Sequence, residues 1–255
     1  MPSQRPIQID FGGMFSRPPQ ATLALMIATG VMSVAGMASA GLLETGVFLR
    51  NVVFSPTQVL DSARAWTPFT YLFLETDPLR LLLYEIFGLW IFASTLERQW
   101  GARRFLFYFF GTGTGAAILT AILGGLGPLS LRIYPGFPGT YVAGTAILVG
   151  WVLMNWHSTA YFFILPVRAP FLLVFALGVP VLDTLRGAWQ PSIPVLLGAA
   201  IGFLLLRRGL SPRRAYLHFR AWWIDRQLRR KARHLRIIRP PDADRDRKGP
   251  DKYLH

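Results

Sequence analysis

Leu79-Arg80-Leu81-Leu82-Leu83-Tyr84-Glu85-Ile86-Phe87-Gly88-Leu89-Trp90-Ile91-Phe92-Ala93-Ser94-Thr95-Leu96 is followed by Glu97-Arg98-Gln99-Trp100-Gly101-Ala102-Arg103-Arg104, and then by a second apolar run, Phe105–Leu123. Two apolar runs of about 18 residues, each long enough to cross about 30 Å of hydrocarbon as a helix, are hinged on one charged turn. Backbone groups in lipid must be hydrogen-bonded within their own segment, so the runs read as membrane-spanning helices.

Outward from that stretch the whole chain has the same character. It is 52% hydrophobic with a mean hydropathy of +0.37, too apolar for a soluble domain of 255 residues. Six spans are expected, at about Ala21–Leu43, Leu79–Leu96, Phe105–Leu123, Tyr141–Trp156, Phe162–Leu185 and Ile193–Leu206. The fourth and sixth are short, and Pro166, Pro170 and Pro180 predict a late start or a kink in the fifth. Ala38-Ser39-Ala40 has the outline of a signal-peptide cleavage site, but the run before it is longer than a signal core, so the first span is expected to be retained.

Charge predicts orientation. From Arg207 onward the tail holds 16 of the 27 Lys and Arg, and Arg5, Arg17, Arg98, Arg103, Arg104 and Arg168 fall on the same side when the N-terminus is placed inside. Only Arg50, Arg64, Arg80, Arg132 and Arg186 fall opposite. The positive-inside rule then puts both termini in the cytoplasm, consistent with the cytoplasmic membrane. Ser211-Pro212 opens a pattern in which Tyr216, Phe219, Trp223, Leu228, Ala232 and Leu235 recur at helical spacing among Arg and Lys. The organisation expected is a disordered segment over 1–20, a membrane domain over 21–207, a basic amphipathic helix over 208–239 and a disordered end over 240–255. Residues 213–236 would lie on the anionic inner leaflet. Nucleic acid is not expected as a partner, because a tail tethered to a span meets lipid headgroups first.

Few residues can carry chemistry. There is no Cys, and the four His are His157, His218, His234 and His255, none inside an expected span. Thr140, Thr145 and Ser192 therefore have no imidazole within the bundle, and no His-based metal spacing exists. No cofactor or metal is expected. Glu85, inside the second span, is the exception: a carboxylate in a membrane faces a bundle interior or a cavity, where it is either a functional contact or a neutral packing residue. Glu97 is expected to accept bonds from backbone groups of a neighbouring segment. Glu75-Thr76-Asp77-Pro78 reads as a polar loop with Pro at a helix start, and Gly111-Thr112-Gly113-Thr114-Gly115 as close packing rather than a phosphate loop.

Four motifs in order resemble the rhomboid family of intramembrane serine proteases and their inactive relatives, over roughly Val59–Arg207. They are Trp66-Thr67-Pro68-Phe69-Thr70-Tyr71-Leu72-Phe73 before the second span, the Glu97-Arg98-Gln99-Trp100-Gly101 turn, Leu165-Pro166-Val167-Arg168-Ala169, and Gly198-x-x-x-Gly202. The resemblance implies an all-α, six-span bundle in which Trp66, Glu97, Arg98, Gly101, Gly198 and Gly202 are structural. It also puts the family's nucleophile at Thr140, its catalytic His at Val195, and its carbonyl-polarising His and Asn at Leu81 and Glu85. None of those side chains matches, and a carboxylate at Glu85 would repel a developing oxyanion. A protein without proteolytic activity is therefore expected, one that binds transmembrane clients through a cleft at Leu81, Glu85, Thr140 and Val195. The alternatives are an active endopeptidase with a different dyad, and a small transporter or channel using Glu85.

Overall fold

The computed structural model describes residues 17–41, 47–137, 139–162 and 165–207. The chain divides into two units, Met1–Leu210 and Ser211–His255, and every described residue lies in the first. The expectations for residues 1–16 and for the tail from 208 onward lie outside the described residues.

The first helix, α1 (Gln20–Gly41), is built inside out. Leu23, Ile27, Val31 and Val34 are exposed along one stripe, while Thr22, Thr29 and Ser33 are buried with Leu25 on the other. An apolar stripe turned outward and hydroxyls turned inward suit a helix whose solvent is lipid.

A chain of short elements follows where the sequence suggested only loops: α2 (Val47–Val52), α3 (Pro56–Leu60), α4 (Thr67–Thr70) and a 3₁₀ turn (Tyr71–Phe73). Apolar anchors and hydrogen bonds hold this segment down. Pro56 and Leu60 pack on Gly124 and Gly125 of the next long helix but one. Ser55 Oγ donates to the Tyr134 carbonyl at 2.8 Å, Phe137 N–H to Phe54 at 3.0 Å, and Arg132 pairs with Asp61 at 2.5 Å. Trp66 is half-exposed and donates its indole N–H to the Asn51 carbonyl at 3.0 Å.

The second long helix, α5 (Pro78–Trp100), starts because Asp77 Oδ1 accepts the Leu79 and Arg80 N–H groups at 2.9 and 3.2 Å, with Pro78 in the first turn. It is not uniformly α-helical. Tyr84–Ala93 is π-helical, so the α-period expected across Leu79–Leu96 is broken midway. Gly101 ends the helix at φ +80°, a conformation that favours glycine, and α6 (Ala102–Leu126) begins at once. Next come α7 (Leu129–Arg132) and α8 (Gly139–Met154).

The fifth expected span is corrected. Phe162 does not open a helix. It ends β1 (Thr159–Phe162), which pairs antiparallel with β2 (Leu165–Arg168), and α9 covers only Ala169–Leu185. Pro166 and Pro170 explain the late start: the residue before a proline avoids the α conformation, and Pro170 is accepted only in the first turn. Together with an isolated bridge between Phe54 and Phe137, this hairpin departs from an all-α chain in the described residues. The last described helix is α10 (Trp189–Arg207).

Four helices, α1, α5, α6 and α10, are long and apolar enough to cross a membrane, whereas α8 and α9 have 16 and 17 residues. The core forms where α6, α8 and α10 meet. The Tyr108 hydroxyl donates to the Ala146 carbonyl at 2.6 Å, and a Cβ on Gly150 or Gly202 would stand 3.0 or 2.5 Å from that same oxygen. A Cβ on Gly198 would stand 2.9 Å from Val142, so both glycines of the last helix are sites of close helix approach. Gly113 lies against Leu72, and Gly115 against Ile201.

Candidate functional site

Thr140 is the second residue of α8, and its placement depends on Gly139. A Cβ on Gly139 would stand 2.0 Å from the Tyr71 carbonyl oxygen and 2.7 Å from Leu72 Cα. Only glycine lets the start of α8 come this close to the segment leading into α5. That approach delivers the Thr140 hydroxyl to Glu75, and Oγ1 donates a short hydrogen bond to Glu75 Oε2. The other carboxylate oxygen accepts the N–H groups of Thr76 and Asp77 at 3.0 and 3.3 Å. Ser33 of α1 completes the arrangement by accepting Glu75 N–H at 2.9 Å and donating to the Phe73 carbonyl at 3.2 Å. Ser33, Glu75 and Thr140 are each at most 3% exposed. Glu75 thus ties three segments together: its carboxylate holds α8 and its own loop, and its backbone N–H holds α1.

No local pattern in the sequence announces this contact. The sequence favours a polar loop over a paired-carboxylate site at Glu75, and offers Thr140 no base. The structure sets Glu75 against Thr140, whose hydroxyl donates a hydrogen bond to the carboxylate. The only local signal was the Asp77-Pro78 helix start, which fixes where α5 begins but not what lies two residues before it.

The other expected positions are placed as follows. Val195 sits on α10, 1% exposed. Among the described residues α8 and α10 pack extensively on each other, so Thr140 and Val195 lie on packed neighbours. Leu81 and Glu85 are half-buried on α5, whose π-helical segment packs on α8. Glu85 Oε1 is buried without a hydrogen-bond partner among the described residues. His157, the one histidine among the described residues, is exposed in the turn after α8. Glu97 lies at the far end of α5, 6% exposed. It accepts Ala21 N–H at 3.1 Å and both the backbone N–H and the hydroxyl of Thr22 at 2.7 Å, which caps the start of α1. Arg98 reaches the Arg17 carbonyl at 3.2 Å.

With this geometry in place, comparison with protein families is decisive. The rhomboid domain model matches residues 62–208, more than half of the chain. The chain belongs to the rhomboid family. No curated protein matches it. Membership accounts for the apolar helices and for an integral, multi-pass membrane location. Within this rhomboid-family chain, Thr140 is a buried hydroxyl engaged with Glu75, and Val195 is a buried apolar residue of α10.

Proposed function

We propose that this protein is a rhomboid-like membrane protein that binds transmembrane segments of client proteins without cleaving them. The observation that carries this reading is the state of Thr140. A nucleophile must meet a substrate carbonyl, but Thr140 is 1% exposed and its hydroxyl is committed to a carboxylate that is itself 3% exposed. Glu85, at a position the family uses to polarise that carbonyl, brings the wrong charge for an oxyanion. Six spans, counting the shorter α8 and α9, with both termini cytoplasmic, agree with the distribution of Arg and Lys. The cleft would lie where α5 and α9 part. α9 packs on α8 and α10 rather than on α5.

One observation favours a second reading. Glu75 is a proton acceptor in contact with Thr140, the minimum requirement for a Thr–Glu dyad. The test is incubation of the reconstituted protein with a labelled single-span segment, with product length read by mass spectrometry. The segment stays intact under the binding reading. Cleavage that disappears in both Thr140→Ala and Glu75→Gln would establish the dyad instead.

A further inference from the structure

α6 is long and apolar enough to cross the membrane and carries no acidic residue along Ala102–Leu126. Its first half bears a surface groove of about 660 Å³, lined by Leu106, Phe107, Phe110, Gly111, Thr114 and Gly115. That volume lies in the range of small-molecule sites, about 300–1,000 Å³. Two of the six lining residues are glycines, so the helix surface is low there. Phe110 is fixed beside them by stacking on Phe69, with ring centroids 4.7 Å apart. Leu205 and Ile201 of α10 stand 3.6 and 3.2 Å from where Cβ atoms on Gly111 and Gly115 would be.

The groove stops at Gly115. Farther along the same face large side chains return: Ile118, Leu119 and Ile122 are all exposed. From residue 106 to 115 the helix rises about 14 Å, close to half of a hydrocarbon core about 30 Å thick. The groove therefore serves one leaflet, which is the reach of a lipid chain and not of a spanning helix. Charge marks its mouth. Arg103 and Arg104 stand seven residues before Phe110 and Gly111, two turns back on the same face. Both are exposed, and neither has an ion-pair partner among the described residues. Glu97, the nearest acidic residue in sequence, is buried and already engaged with the start of α1. We propose that this groove holds one acyl chain of an anionic phospholipid, whose phosphate meets Arg103 and Arg104. The charge complementarity selects the headgroup, and the recess over the glycines selects the chain. The site needs neither the basic tail nor the client-binding reading.

The test uses the full chain in phosphatidylcholine nanodiscs that contain a trace of one photoreactive lipid, phosphatidylglycerol or phosphatidylcholine, with a diazirine midway along one chain. After illumination and digestion, labelled peptides are measured by mass spectrometry. The peptide containing residues 105–115 reports the groove. The peptide over residues 169–186, where Phe171, Val174 and Phe175 are exposed, reports ordinary lipid contact and any general enrichment of anionic lipid by the tail. The phosphatidylglycerol-to-phosphatidylcholine labelling ratio is expected to be about tenfold higher on the groove peptide than on the reference peptide. Arg103→Gln combined with Arg104→Gln should bring the two ratios together. Thr114→Leu, which fills the recess, should lower groove labelling by both lipids. The wild-type comparison needs no variant, so it stands even if a substitution impairs folding. Equal ratios on the two peptides, a preference that survives the double substitution, or a groove shielded from both lipids by a second copy, seen as a two-chain mass, would each overturn the proposal.

Discussion

Two carboxylates on α5 have opposite fates. Glu97, at the cytoplasmic end expected from charge, is matched by three donors from the start of α1. Glu85, twelve residues earlier in the chain, has a buried oxygen with no partner among the described residues. Glu75, just ahead of the helix, resembles Glu97: it too accepts three donors and ties separate elements together. A carboxylate whose lone pairs are filled by the fold stabilises the fold. One left unfilled in a low-dielectric region opposes it, and its presence points to something outside the fold.

That contrast can be broken from either side. The largest effect is expected upstream of the carboxylates themselves. Gly139→Ala drives a Cβ into the Tyr71 carbonyl, which lies 2.0 Å away, and dismantles the clasp between Thr140 and Glu75. Folded protein recovered from membranes should fall to a small fraction of wild type, measured by detergent size-exclusion chromatography. Glu97→Ala comes next. It strips the cap from α1 and leaves buried N–H groups unmatched, so unfolding in bilayers should become easier by about 2–4 kcal/mol, read by steric trapping or reversible denaturation. Thr140→Val removes one donor from Glu75 at near-constant volume and should cost about 1–2 kcal/mol in the same measurement. Glu85→Leu should reverse the sign and stabilise the isolated protein, by about 1 kcal/mol. A loss of stability in Glu85→Leu as large as that in Glu97→Ala would erase the distinction between the two carboxylates.

How much of this was legible in the sequence follows from the range of each interaction. The turn at Glu97–Gly101 and its flanking spans were readable because hydropathy and a run of charge are local properties. The capping of α5 by Asp77 is also local. The π-helical stretch was not readable, because an apolar run looks the same with fourth- or fifth-residue bonding. The hairpin before α9 was half readable: three prolines signalled a late start, but strand pairing depends on register rather than composition. The Thr140–Glu75 bond joins residues 65 apart and depends on Gly139 letting two backbones touch. No periodicity announces such a contact. Glu85 was recognisable as costly from its place in an apolar run, but that the Tyr84 and Tyr141 hydroxyls share its lack of partners among the described residues required the packed structure.

The most direct test places a photoreactive side chain at Leu81, half-buried on α5 one turn before Glu85. The reconstituted protein is then illuminated with a labelled single-span membrane segment. Capture of the segment at full length is the predicted result. Capture of a shortened product that is absent in Thr140→Ala would contradict the account.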